Sequence, residues 1–160
     1  FIVLICYLID STLSYFLPYN YIKEGISVIP YIGLMMYSLI VKSINVPDRY
    51  FYGAICGTYY CIVYTNSLAI YILVYSLIAF VRSYIIKVES FSFSETIVYC
   101  ISTVFFCEII VYWLMIATGT TIYPIDQFIV CRILPTLLLN LFLSVFVYWF
   151  YSNIDIEVNK

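Results

Sequence analysis

Between Arg49 and Arg82 the chain runs for 32 residues without a charged side chain. As one helix that run is about 48 Å long at about 1.5 Å per residue, far more than the roughly 30 Å of a bilayer's hydrocarbon core. It has to fold back on itself. Thr65-Asn66-Ser67 is the turn-like cluster at which to break it, and the break makes a helical hairpin with both arginines at one end.

Four further apolar runs are measured against the same ruler, and together with the two arms of the hairpin they give six spans. Their expected limits are about 1–17, 22–41, 50–64, 67–86, 95–118 and 128–151. The composition agrees, since 65% of the 160 residues are hydrophobic and only 10% are charged, whereas soluble domains carry about 25% charged residues. With a mean hydropathy of +1.05, residues 1–160 read as a single all-α integral membrane domain, a bundle of six transmembrane helices. The first run lacks a small-residue cleavage pattern and reads as a span instead of a cleaved signal. The third, about 50–64, is short for a full crossing, which leaves local thinning or a shallow re-entrant position open.

Charge placement orients the bundle. Six spans put Lys42, Arg49, Arg82, Lys87 and Lys160 on one side, and Lys23 and Arg132 on the other. Because positive charge collects on the cytoplasmic side, both termini are expected in the cytoplasm. The polar stretches near 82–95 and 119–127 are too short for a soluble module.

Several chemistries lack their residues. There is no histidine, and Cys6, Cys56, Cys61, Cys100, Cys107 and Cys131 include no CxxC pair, so a metal site has no ligand set. The cysteines read as small apolar side chains. A nucleophile needs an adjacent base, and no Gly-x-Ser-x-Gly turn or phosphate-cradling glycine loop occurs. Neither an enzyme nor a cofactor is expected, and a net charge of −2 implies no nucleic-acid partner. The 19 tyrosines read as compositional bias of the genome, some of them destined for the membrane interfaces.

What remains is polar residues inside apolar runs, where burial costs several kcal/mol and function is the default reading. Arg132, Thr136, Asn140 and Ser144 recur every four residues, which places them on one helical face. Pro135 leaves the Cys131 carbonyl without its helical donor and kinks the helix. Thr136 and Asn140 are candidates to satisfy the freed groups or to bond to neighbouring helices. The stripe fits intramolecular packing and partner binding equally. Asp10 lies in the first span, at a depth that a long arginine at 132 reaches. An Asp10–Arg132 pair that fixes helix packing is the favoured reading, ahead of a ligand or proton pathway. Glu108, midway along the fifth span, has no partner evident at its depth; it is expected to be neutral through desolvation or to face a cavity or a bound partner. Gly53 and Gly57 form a GxxxG pattern that permits close helix approach.

At this point the chain resembles the rod-shape-determining membrane protein family MreD, in its low-GC Gram-positive form. Arg132-Ile133-Leu134-Pro135-Thr136-Leu137-Leu138-Leu139-Asn140 is similar to that family's closing Arg-x-x-Pro-Thr then Asn pattern. Tyr52 to Gly57, with Tyr64-Thr65-Asn66-Ser67-Leu68-Ala69-Ile70-Tyr71, is similar to its Gly-rich third span and the turn that follows. The chain departs from the family at Tyr60-Cys61-Ile62, where an acidic residue is common, and at Ala69, where glycine is. The resemblance implies a non-catalytic adaptor in the bacterial cell membrane that binds MreC and helps place lateral peptidoglycan synthesis. RodA and a class B penicillin-binding protein are implied partners, with MreB engaged indirectly and membrane lipids around the bundle. It also implies a fold similar to the six-helix substrate-binding subunit of energy-coupling-factor transporters. The alternative function that this fold raises is a vitamin-type substrate-binding subunit, against which the short 18–25 connection and the absence of a small-x-x-x-small pattern in the first span both count. A lipid-flipping role is the weakest reading, because the chain is small for enclosing a lipid path.

Overall fold

A computed structural model describes residues 2–18, 25–65, 70–86, 91–119, 121 and 124–153, with only the backbone at 64 and 65. Lys23, Lys87 and Lys160, which orient the bundle above, lie outside the described residues, as do Asn66 and Ser67 of the expected turn and Leu68 and Ala69 of the family-like stretch.

Among the described residues the chain is all-helical, with six helices and no strand. α1 is Ile2–Phe16. α2 is Ile32–Ile40, prolonged by a 3₁₀ turn at Val41–Ser43. α3 (Val46–Tyr60) and α4 (Ile70–Phe80) each end in a π-helical turn, at Cys61–Thr65 and Val81–Ile85. α5 is Phe93–Ala117, and α6 runs from Ile125 to Ser152, with a π-helical turn at Ile129–Ile133 just before Pro135.

Local chemistry sets these limits. Pro47 and Asp48 occupy the first turn of α3, where a missing N–H costs nothing and a negative charge meets the positive end of the helix dipole. Glu95 accepts the backbone N–H of Ser92 at 2.8 Å and closes a capping box on α5. That helix stops at Gly119, whose φ of +67° ends it in the left-handed region glycine tolerates.

The second apolar run departs from its expected form. Helix begins at Ile32, not near residue 22, and residues 25–31 are non-helical. Pro30 explains this: it has no N–H to donate and disfavours helical backbone at Ile29. β-branched Ile26, Val28 and Ile29 add to the bias.

The short α2 that follows sits at the centre of the molecule. Every residue from Ile32 to Leu39 is buried, with α1, α4, α5 and α6 packed around it. α3 and α4 pack together as the hairpin, close enough that a Cβ on Gly57 would lie 2.6 Å from the Cα of Ile72. At one end of this pair Arg49 Nη1 donates to Ser83 Oγ at 2.8 Å. Large apolar side chains cover the outside, among them Leu8, Phe106, Val130 and Phe142, while Asp10, Glu108, Arg132, Thr136 and Asn140 are buried. By length and composition α5 and α6 are apolar enough to cross a membrane; the helical stretches at α1, α2 and α4 are apolar but shorter.

Candidate functional site: a polar seam around Ser27–Tyr31

Residues 27–31 run alongside α6 and bond to it through their backbone. The N–H of Ser27 donates to the Cys131 carbonyl at 2.9 Å, the group that Pro135 leaves without a helical donor. One turn further on, Thr136 Oγ1 donates to the Ser27 carbonyl and accepts the Ile29 N–H, both at 3.4 Å. Another turn on, Asn140 Oδ1 accepts the Tyr31 N–H and its Nδ2 donates to the Ile29 carbonyl, both at 2.8 Å. Asn140 Nδ2 also donates to the Thr136 carbonyl at 2.8 Å, so all three side-chain polar atoms of Thr136 and Asn140 are used.

The two pitches nearly match. Four residues of helix rise about 6.0 Å, and two residues of extended chain cover about 6.6 Å. A polar group every fourth residue on α6 therefore meets every second residue of the segment. Val28, on the opposite edge, donates its N–H to the Pro18 carbonyl at 2.9 Å, as an extended chain requires.

Tyr31 links this seam to the buried charges. Its hydroxyl donates to Glu108 Oε1 at 2.6 Å and lies 2.8 Å from the Tyr71 hydroxyl. Glu108 takes its charge partner from α6: Arg132 Nε is 2.6 Å from Oε2, and Nη2 is 3.4 Å from Oε1. Paired and doubly hydrogen-bonded, the two charges meet the condition under which a buried ion pair is tolerated.

Asp10 lies at the other side of Tyr31 and serves the end of α2. Its Oδ1 accepts the Ile32 N–H at 2.9 Å and its Oδ2 the Gly33 N–H at 2.8 Å, while the Tyr60 hydroxyl donates to Oδ2 as well. Tyr31 at the cap position makes no side-chain cap of its own, so α1 supplies a carboxylate from outside, where the helix dipole favours it. Gly33 is needed for this approach, since a Cβ there would lie 2.3 Å from the Tyr7 ring.

These contacts correct two expectations. Asp10 and Arg132 do not pair, and Glu108 does have a partner. The reason is legible in helix lengths. Glu108 lies nine residues before the end of α5 and Arg132 seven residues after the start of α6, depths of about 14 and 10 Å on adjacent helices joined by a short connection. Asp10 is drawn instead to the leading backbone amides of α2, which no other side chain among the described residues reaches.

Of the remaining candidates, Ser144 donates to the Leu141 carbonyl of its own helix at 2.7 Å and stands apart from the seam. Gly57, in α3, packs directly against the backbone of α4 at Tyr71 and Ile72, and a Cβ on Gly53 would lie 2.7 Å from the Tyr37 hydroxyl. Both glycines thus serve packing within the chain.

The tyrosines are more than compositional bias. Tyr31, Tyr37, Tyr60, Tyr71 and Tyr75 are among the largest fully buried side chains. Tyr31 stacks on Tyr60 at 5.7 Å, and Tyr60 contacts Tyr71 and Tyr75 at 5.5 and 5.8 Å. Each ring fills volume and brings its hydroxyl to a hydrogen-bond partner: Tyr31 and Tyr60 donate to carboxylates, Tyr37 to the Arg49 carbonyl, Tyr71 pairs with Tyr31, and Tyr75 accepts from Tyr7. Among the described residues no group of three or more His, Cys, Asp or Glu is placed to hold a metal ion.

Compared with known proteins, the chain matches no family, no curated protein and no solved structure.

Proposed function

We propose that this chain is a non-catalytic, multi-pass scaffold of the bacterial cell membrane, working as the MreD resemblance implies by holding an MreC-like single-span partner. The apolar perimeter and polar interior support membrane embedding, because lipid rewards the first and penalises any polar group turned outward. Both termini belong in the cytoplasm on this reading, from the positive-inside rule.

One observation carries the scaffold role. Asp10, Glu108, Arg132, Thr136 and Asn140 are buried and engaged by groups of the same chain, so the stripe locks the bundle and partner recognition falls to its outer surface. Broken helices of transporters aim their amide ends at a substrate's anionic group. Here Asp10 already occupies the amide end of α2, which counts against a ligand there and against the vitamin-subunit alternative.

The test is affinity purification from membranes of the native bacterium under mild detergent, with cell shape followed on depletion. The expected result is a stoichiometric MreC-type partner, no small-molecule ligand by native mass spectrometry, and rounding of depleted cells. A bound vitamin-like ligand with no such partner would refute the scaffold reading.

A further inference from the structure

α1 and α3 touch through Tyr7, Asp10 and Ser11 on one side and Tyr59 and Tyr60 on the other. Tyr7 stacks on Tyr59 at 4.6 Å, the Tyr59 hydroxyl donates to the Tyr7 carbonyl at 2.9 Å, and Ser11 bonds to the same hydroxyl. Below that contact a groove of about 580 Å³ opens between Leu4 on α1 and Tyr52 and Ile55 on α3, with Tyr37 and Cys56 among its lining and Asp48 at its mouth. One helical turn, about 10–12 Å across and about 5.4 Å tall, displaces about 500 Å³, a volume close to that of the groove. Leu8 and Ile62, also exposed, prolong its apolar walls at helical spacings of four and seven.

The mouth carries the chemical signature. It lies at the end where Arg49 donates to the carbonyls of Lys42 and Ile44, the cation-rich end. Asp48 is exposed there, and among the described residues its carboxylate joins no ion pair. Resting on the scaffold reading, we propose that this groove is the docking site for the partner's single transmembrane helix, and that Asp48 pairs with the Lys or Arg that flanks such a helix on its cytoplasmic side. Cytoplasmic flanks of spans are enriched in these cations, so an acid at that level attracts them. Anionic lipid headgroups, the competing occupant, offer Asp48 no cation to pair with.

The experiment places a photoreactive phenylalanine at Leu4 or Ile55, and for comparison at Trp113 or Phe142 on α5 and α6, in cells of the native bacterium. Cross-linked peptides are mapped by mass spectrometry. The expected product, from Leu4 and Ile55 only, is one single-span protein attached in the cytoplasmic half of its span, next to a Lys or Arg. Asp48→Lys lowers its yield about tenfold and Asp48→Asn less, and reversing the partner's basic residue restores the Asp48→Lys yield. Cross-links to lipid or to a second copy alone overturn the docking site. So does a partner caught at Trp113 or Phe142 and not at Leu4, an outcome that leaves the scaffold reading standing. No partner from any position, with the chain folded and inserted, removes both. An unchanged yield with Asp48→Lys overturns the charge pairing.

Discussion

Asp10 and Glu108 are both fully buried carboxylates, and the chain satisfies them by opposite means. Glu108 is held by side chains, Arg132 and Tyr31. Asp10 is held chiefly by backbone, the first amides of α2, with Tyr60 as a third donor. The difference concerns what can be undone. A side-chain partner can be removed together with its charge, whereas a helix's leading amides are present whatever residues stand there. Glu108–Arg132 is therefore an exchangeable unit and Asp10 an unexchangeable one.

The sharpest way to break that contrast is to delete one half of the ion pair. Glu108→Ala leaves Arg132 buried without its carboxylate and should cost about 3–5 kcal/mol, read as the unfolding free energy in mixed detergent and SDS micelles. Next comes Asp10→Ala, which orphans two amides and a phenol; a loss of about 2–4 kcal/mol is expected in the same assay. Glu108→Leu combined with Arg132→Met removes both charges and should return to within about 1 kcal/mol of the parent. Adding Tyr60→Phe to Asp10→Leu should give no comparable recovery. If both doubles recover equally, the distinction between the two acids is void. The smallest effect belongs to Pro135→Ala. It restores an N–H that competes with Ser27 for the Cys131 carbonyl, and should cost below about 1 kcal/mol while speeding deuterium exchange at the Ser27 amide.

Much of this was readable in the sequence. Each apolar run contains one helix, because lengths near 20 residues and uncharged stretches report helices directly. The four-residue stripe identified the right face of α6, because helical periodicity survives translation into structure. Its bonding partner was not readable. Thr136 and Asn140 bind main-chain groups of residues 27, 29 and 31, and backbone leaves no mark in a sequence. Pro30 and Ser27 were the available signals within a run otherwise reading as one span. The Glu108–Arg132 pair is marked in the sequence only by the similar distances of the two residues from the α5–α6 connection. The tyrosine cluster was masked by composition, since a residue abundant everywhere carries little information about the five or so positions where it is buried and bonded.

Because α6 grips residues 27–31 through their amides and carbonyls, it is indifferent to most of the side chains they carry. The constraint is instead on where a proline can stand. Ser27, Ile29 and Tyr31 each commit an N–H to α6, and Val28 commits one to Pro18. Position 30 is the one place in the segment from which none of these bonds is drawn, and it is the place the proline occupies. Sliding that proline by a single residue in either direction would delete a rung, so the segment's register is written in an imino acid that makes no contact through its nitrogen.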